Sequence, residues 1–137
     1  MSDEVPLTVY EKTACVPPKP LRVLVVEDHE SCARLLETVI RRIGYAVVVT
    51  KTVSEALTAL TQEHFDILIC DLLLPDGHGF EIIRAIRNRK PKIFSIAITG
   101  LGIRDIESQA LKKGFDHFIR KPFKPRAIEA LLIQVPI

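Results

Sequence analysis

Short hydrophobic runs alternate with amphipathic stretches along most of the chain, and this alternation limits the possible folds more than any other feature. After about Pro20, five runs rich in Val, Ile, Leu and Phe are each followed by a stretch with apolar residues at helical spacing. Continuous apolar runs of this length are typical of parallel strands that are buried on both faces. The pattern therefore predicts five β-α units built around one parallel sheet.

Capping residues and apolar stripes define the predicted elements. Gly44 is placed to end the first helix, and Thr52 with Glu55 forms a capping box before the second. Each helix has one apolar stripe, and crossovers between parallel strands are right-handed, so we expect a doubly wound α/β sandwich with helices on both faces. The predicted strands lie near Leu21–Glu27, Ala46–Thr50, Phe65–Cys70, Lys92–Ile98 and Asp116–Arg120, and the predicted helices near Glu30–Ile43, Val53–Glu63, Gly79–Asn88, Asp105–Lys113 and from about Pro125.

The length of the chain fits a single domain preceded by a tail. With 137 residues, 47% of them hydrophobic, the chain can bury a core without disulfides. Four prolines and little periodicity occur up to Pro20, so we expect residues 1–20 to be a Pro-rich tail or linker. The folded domain is then expected to cover residues 21–137.

Charge and cysteine content exclude several classes of function. A formal net charge of +2, without a basic run, argues against nucleic-acid binding. Cys15, Cys32 and Cys70 lack metal-ligand spacing, and an odd number of cysteines argues against a secreted disulfide framework. No stretch is as long and apolar as a signal core or a membrane span. We therefore expect a soluble cytoplasmic protein whose domain does not contact a membrane.

Acidic residues follow two of the predicted strands. Glu27 and Asp28 come directly after the first run, and Asp71 comes directly after the third. Carboxyl ends of parallel strands share one edge of the sheet, where ligands bind in open α/β folds. Carboxylates about 4 Å apart repel by about 4 kcal/mol at an effective dielectric constant near 20, and a divalent cation relieves this repulsion. All-oxygen ligands favour Mg²⁺, so we expect Asp28 and Asp71 to bind it directly and Glu27 through water.

A hydroxyl and an amine follow the last two predicted strands. Thr99 precedes Gly100, which leaves space for a bulky anion. Lys121 precedes Pro122 in a stiff loop that can hold a cis peptide bond, and its ammonium is expected to pair with Asp71 and a phosphoryl oxygen. Together with the acids, these groups indicate a metal-assisted phosphoryl site.

Four motifs, in this order, resemble the receiver domains of two-component response regulators and hybrid histidine kinases. They are VLVVED at 23–28, ILICDLLLPDGHGFEII at 67–83, AITG at 97–100 and FIRKPF at 118–123. The resemblance covers about Leu21 to Leu132. It implies a flavodoxin-like, doubly wound sheet of five parallel strands in the order 2-1-3-4-5, with five helices on its two faces.

The resemblance also implies roles for individual residues. Asp71 would accept a phosphoryl group from a phosphohistidine of a sensor histidine kinase or a histidine phosphotransfer protein. Thr99 and Lys121 would bind the phosphoryl oxygens, and the ring of Phe118 would turn inward with Thr99 as a switch. The implied Mg²⁺ ligands are Glu27, Asp28, Asp71 and the backbone carbonyl of Leu73. The domain would then be a phosphoacceptor in a phosphorelay rather than an enzyme with a separate substrate.

Several positions depart from the family's common pattern or carry no implied role. Glu27 stands where Asp is commoner, which an outer-sphere role tolerates, and His78 stands where an acid is common. Leu73 and Leu101 are apolar where many receivers carry residues that influence hydrolysis, so we expect slow autodephosphorylation. His29 is expected to be an ordinary surface residue or one with its polar groups satisfied, and Cys70 a buried small hydrophobe.

Other readings of the same residues remain open. A phosphorylation-independent pseudo-receiver would share the fold, although such modules typically lose one of the acids, the threonine or the lysine. A flavin-binding protein is disfavoured because Glu27 and Asp28 would repel a flavin phosphate. An aspartate-nucleophile phosphatase is disfavoured because Leu73 replaces its second acid. The downstream target is not predicted, nor whether the domain acts alone or within a hybrid kinase.

Overall fold

Five parallel strands form the central sheet in the computed structural model, which describes residues 20–89, 92–100, 102 and 104–135. The elements are β1 (Arg22–Val26), α1 (Glu30–Ile43), β2 (Ala46–Thr50), α2 (Val53–Gln62), β3 (Ile67–Asp71), β4 (Leu73–Leu74), β5 (Gly77–His78), α3 (Gly79–Arg89), β6 (Phe94–Thr99), α4 (Ile106–Lys113), β7 (His117–Arg120) and α5 (Pro125–Ile133). The strand order of the sheet is β2-β1-β3-β6-β7, which matches the predicted order 2-1-3-4-5 once the two short hairpin strands β4 and β5 are left out of the count.

The core consists of two buried clusters, one on each face of the sheet. One cluster joins the sheet to α2, α3 and α4 through residues such as Val53, Ile82 and Ala110. The other joins it to α1 and α5 through residues such as Leu36 and Ile128. Alternate residues of a strand point to opposite faces, so β1, β3 and β6 contribute side chains to both clusters. This arrangement confirms the predicted doubly wound sandwich.

The helix and strand ends lie close to their predicted positions. Gly44 ends α1 with φ of 101°, a left-handed conformation that glycine adopts without steric cost. The Thr52 hydroxyl accepts a hydrogen bond from the Glu55 N–H at 3.0 Å, while the Glu55 carboxylate accepts one from the N–H of Lys51. In a capping box the carboxylate accepts from the N–H of the capping residue itself, which here is Thr52. In this structure it accepts from Lys51, one residue earlier. The peptide bond between Lys121 and Pro122 is cis.

The hairpin formed by β4 and β5 was not predicted. Leu73 pairs with His78 and Leu74 with Gly77, in antiparallel register. Strands of two residues are too short to show a hydrophobic period, so the sequence pattern gave no signal for them.

The N-terminal tail predicted for residues 1–20 lies outside the described residues, apart from the exposed Pro20. Among the helices that the structure describes, none combines the length and the hydropathy needed to cross a membrane.

Candidate functional site

The strand ends bring the predicted reactive side chains together at the carboxyl edge of the sheet. Asp71 and Thr99 are the last residues of β3 and β6, which are neighbours in the sheet. Glu27 follows β1 on the other side of β3, and Lys121 follows β7 beside β6. Glu27, Asp71 and Thr99 are all buried. The parallel register therefore places two acids, a hydroxyl and an amine at one edge, as predicted.

Lys121 bridges the two buried acids. Its Nζ donates a hydrogen bond to Oδ2 of Asp71 at 2.9 Å and lies 2.7 Å from Oε1 of Glu27. The Glu27 contact is an ion pair, because Oε1 makes no hydrogen bond of regular geometry within the described structure. One ammonium thus neutralises part of the charge of two carboxylates that have little access to water.

Burial and hydrogen bonding act in opposite directions on the pKa values of these groups. Burial raises the pKa of Asp71, and the hydrogen bonds from Lys121 and the Leu73 N–H offset this only in part. Burial also raises the pKa of Glu27, but the close contact with the Lys121 ammonium and the hydrogen bond from the His29 N–H more than compensate, so that pKa is lowered. Burial lowers the pKa of Lys121, and its bonds to Glu27 and Asp71 reverse the effect, leaving it raised. At neutral pH Lys121 is therefore an ammonium.

The acidic residues at this edge fit a divalent cation. Oδ1 of Asp28 is buried and has no hydrogen-bond partner within the described structure. A ligand atom from each of Glu27, Asp28, His29 and Asp71 lies within 4.8 Å of the others. A buried carboxylate oxygen without a donor beside further carboxylates is the environment that a hard cation such as Mg²⁺ stabilises.

His29 lies against the site, where the sequence indicated an ordinary surface residue or one with its polar groups satisfied. Its backbone N–H donates to Oε2 of Glu27 at 3.0 Å, and its Nδ1 lies 3.2 Å from the same oxygen. The side chain is otherwise 70% exposed, which agrees with the surface position. In the sequence, the indication of this contact was that His29 directly follows the acidic pair at the end of a predicted strand.

The segment after Asp71 packs tightly against the strand that carries it. The Leu73 N–H donates to Oδ1 of Asp71 at 3.1 Å, and the Leu73 side chain is half-exposed at the edge of the site. A Cβ at Gly79 would lie 2.7 Å from the Asp71 carbonyl oxygen and 2.9 Å from Sγ of Cys70. Only glycine fits there, so Gly79 is a structural part of the site that sequence analysis did not single out.

The remaining predicted positions lie around this centre. Phe118 in β7 is half-buried against the cluster that contains α4, and the guanidinium of Arg120 lies 5.5 Å from the centre of its ring. Cys70 is fully buried as predicted, and burial raises the pKa of its thiol well above the usual range. Burial and the charge of Glu27 raise the pKa of Cys32 to about 12. Leu101 lies outside the described residues.

Relatives by sequence are response regulators and transcriptional regulators. The chain is 35% identical over 109 residues to the probable transcriptional regulator ycf27 of Cyanophora paradoxa, covering 80% of this chain and 45% of that protein. It is 35% identical over 101 residues to the response regulator protein PilR of Pseudomonas aeruginosa, covering 74% of this chain and 23% of PilR. The matched segment thus spans less than half of either relative.

Solved structures share the fold. The beryllofluoride-activated NtrC4 receiver domain dimer matches with a TM-score of 0.76 and 35% identity, covering 82% of this chain and 93% of that chain. The chemotaxis response regulator CheY4 of Vibrio cholerae matches with a TM-score of 0.79 over 86% of this chain and 100% of that chain, and its 24% identity shows the fold alone. The sequence profile described as the response regulator receiver domain matches residues 23–133. This chain, which carries its reactive side chains within that range, therefore belongs to the response regulator receiver domain family.

Proposed function

We propose that Asp71 is the phosphoacceptor of this receiver domain and takes a phosphoryl group from a phosphohistidine of a sensor histidine kinase or a histidine phosphotransfer protein. The observation that carries the proposal is the bridge from Lys121 to Glu27 and Asp71 beside the buried Oδ1 of Asp28, which accepts no hydrogen bond in the described structure and has the Nδ1 of His29 3.7 Å away. A structural ion pair would explain the bridge alone. It would not explain a third acid whose buried oxygen has no donor in the described structure.

The reaction needs positioning and charge neutralisation more than additional chemical groups. A carboxylate oxygen of Asp71 attacks the phosphorus, the phosphorus–nitrogen bond of the phosphohistidine breaks, and the electron pair stays on the imidazole. Lys121, already 2.9 Å from Oδ2 of Asp71, is in position to bond a phosphoryl oxygen. The buried Thr99 hydroxyl at the end of β6 supplies a further bond on the same edge.

In this proposal Asp28, Asp71 and the Leu73 carbonyl would hold Mg²⁺, and Glu27 would reach it through water. The cation would supply charge neutralisation on the phosphoryl oxygens. Phosphorylation then draws Thr99 toward the phosphoryl group, and the half-buried Phe118 turns inward and changes the surface of β7 and its neighbours. The output passes to a protein target through that surface.

A groove beside the site supports a protein as the phosphoryl donor. It has a volume of about 660 Å³ and lies between α1 and the segment after β7, with Leu35, Pro122 and Phe123 among its lining residues next to Lys121. Exposed apolar patches rimmed by polar residues mark protein interaction sites, and this one adjoins Lys121, which pairs with Asp71.

The test is intact mass after incubation with Mg²⁺ and acetyl phosphate, a small phosphodonor. We expect one added phosphoryl group on the wild-type protein, no addition in Asp71→Asn or with EDTA, and normal addition in Asp105→Asn. Asp105 is an exposed acid with φ of 64°, a conformation that asparagine tolerates, so it is a matched control for the substitution. No addition to a folded wild-type protein would overturn the proposal in favour of a pseudo-receiver that binds partners without phosphorylation.

We further propose that the phosphoryl group is lost slowly. The Leu73 side chain, 49% exposed at the edge of the site, has no polar atom that could orient an attacking water. The time course of phosphoprotein mass after removal of the donor measures this rate. A half-life of minutes or longer is expected, and a half-life of seconds would contradict it.

A further inference from the structure

The turn of the β4–β5 hairpin caps a helix that is distant in sequence. Oδ1 of Asp76 accepts a hydrogen bond from the N–H of Val53 at 2.8 Å, and Oδ2 accepts one from the N–H of Ser54 at 3.1 Å. These are the first two residues of α2. Helix N-termini leave their first N–H groups without intrahelical partners, and a carboxylate there is further stabilised by the helix dipole. The same two bonds lower the pKa of Asp76, which keeps it charged.

The other end of the hairpin is attached to the phosphoacceptor. The N–H of Leu73 donates to Oδ1 of Asp71 at 3.1 Å, and Leu73 pairs with His78 across the hairpin. The His78 N–H in turn donates to Oε2 of Glu81 in α3 at 3.0 Å. The hairpin is therefore held at the site by Asp71 and at α3 by Glu81, and its turn is held at α2 by Asp76.

Side-chain packing reinforces the attachment to α2. Leu74, in the middle of the hairpin, is buried in the same cluster as Val53 and Ala56 of α2. Leu73 itself is half-exposed, so its own side chain gives its carbonyl little support. The position of the Leu73 backbone depends on the neighbouring contacts of the hairpin.

We infer that Asp76 is a positioning residue, which holds the Leu73 carbonyl in place for the cation by fixing the hairpin to the N-terminus of α2. This inference rests on the proposed function, in which the Leu73 carbonyl is a Mg²⁺ ligand. Thermodynamic coupling is reciprocal, so a cation bound at Leu73 also strengthens the cap on α2. Asp76 thereby links the phosphorylation site to a helix on one face of the sheet.

The chain offers a matched control for this role. Thr52 caps the same helix through its hydroxyl, which accepts from the Glu55 N–H at 3.0 Å, but it lies in the lead-in to α2 and not in the hairpin. Thr52→Ala and Asp76→Ala both weaken the start of α2, and only Asp76→Ala releases the hairpin. Asp76→Asn keeps one acceptor oxygen and serves as the conservative variant.

Titration calorimetry with Mg²⁺ alone measures the predicted difference. Asp76→Ala is expected to weaken Mg²⁺ binding by about fivefold or more, the lower range of couplings between sites, and Thr52→Ala by less than about twofold. Asp76→Asn should fall between Asp76→Ala and the wild type. In wild type and Thr52→Ala, Mg²⁺ should also shift the amide NMR signals of Val53 and Ser54, and in Asp76→Ala this response should be lost.

Two results would overturn the inference, and they are distinguishable. Equal weakening by Thr52→Ala and Asp76→Ala, or unchanged binding in both, would show that Asp76 does not hold the cation site. That result would leave the proposed function intact. Absence of Mg²⁺ binding to the folded wild-type protein would remove the cation site itself, and with it both proposals.

Discussion

Asp71 is a buried carboxylate that accepts hydrogen bonds from Lys121 and the Leu73 N–H. Burial nevertheless raises its pKa, so the folded protein takes up a proton at Asp71 at higher pH than the unfolded chain does. Stability therefore falls as pH rises from the ordinary aspartate range, near about 4, through the raised pKa of Asp71 in the folded protein. The ionised form of Asp71 thus opposes folding when no divalent cation is bound.

Asp71→Asn is accordingly expected to be more stable than the wild type at pH 7 without a divalent cation. The amide stays neutral and keeps an oxygen for the Leu73 N–H, and Lys121 retains its contact with Glu27 at 2.7 Å. Urea unfolding with EDTA measures the difference, which should shrink as pH falls toward about 4. A less stable Asp71→Asn protein, or a difference independent of pH, would contradict the assigned pKa direction.

Gly79 is the second residue at which a single change tests the site. Gly79→Ala would place a Cβ 2.7 Å from the backbone oxygen of Asp71, which cannot move without moving β3. We expect a loss of about 1–3 kcal/mol in the free energy of unfolding, the usual cost of overpacking.

Gly102→Ala is the matched control for Gly79→Ala, because a Cβ at Gly102 would meet nothing within 4 Å. Urea unfolding of both variants makes the comparison. Equal stability of the two would mean that α3 can shift away from β3 at little cost.

The Arg87 side chain connects several elements at the amino ends of β6 and β7, away from the candidate site. From α3 it donates to the carbonyl of Gly114 at 2.9 and 2.7 Å, to the carbonyl of Ile93 at 3.0 Å and to Asp116 at 3.0 Å. Asp116 also accepts from the N–H of Ser95 at 2.8 Å. Arg87 thereby joins the end of α3 to the segments that begin β6 and β7.

Arg87→Met is expected to lower the free energy of unfolding by roughly 2 kcal/mol, because it keeps the aliphatic stem and leaves carbonyl oxygens without their charged donor. Arg84→Met, on the exposed part of the same helix, should change it by less than about 0.5 kcal/mol. Thermal or urea unfolding of the pair gives the comparison. If the two variants have the same free energy of unfolding, water replaces the hydrogen bonds of the Arg87 guanidinium without loss of stability.

The elements that could be predicted are those with a periodic signal. The run at 67–70 is apolar throughout because both faces of β3 are covered, and the helix ends carry capping residues such as Gly44 and Thr52. The predicted strand ends then indicated that the acids, the hydroxyl and the lysine lie together, because the carboxyl ends of parallel strands meet at one edge of the sheet. A strand that is buried on both faces can therefore be recognised from a single sequence.

The contacts that sequence analysis did not predict join residues that belong to no common hydrophobic repeat. The Asp76 cap joins a turn to a helix more than twenty residues earlier, and the hairpin that presents it has strands of two residues. The approach of His29 to Glu27 depends on the direction of one backbone N–H and one ring. Such contacts are set by tertiary geometry, which a local pattern does not encode.

At the scale of the whole molecule, the site joins four strands that the sequence keeps far apart. Glu27, Asp71, Thr99 and Lys121 follow or end β1, β3, β6 and β7, and both buried clusters pack against these strands. A ligand that binds only the folded arrangement stabilises the entire fold, because the unfolded chain cannot assemble the same ligands.

Mg²⁺ is therefore expected to raise the free energy of unfolding by about 2.7 kcal/mol when its concentration is 100 times its dissociation constant. Asp28→Asn should lose most of this increase, since Asp28 carries a buried oxygen that has no hydrogen-bond partner in the described structure. Urea unfolding with MgCl₂, and with NaCl at equal ionic strength, separates specific binding from screening of the acidic edge. An equal gain from NaCl, or a full gain in Asp28→Asn, would mean that the cation acts on surface charge and that the acidic edge is not its site.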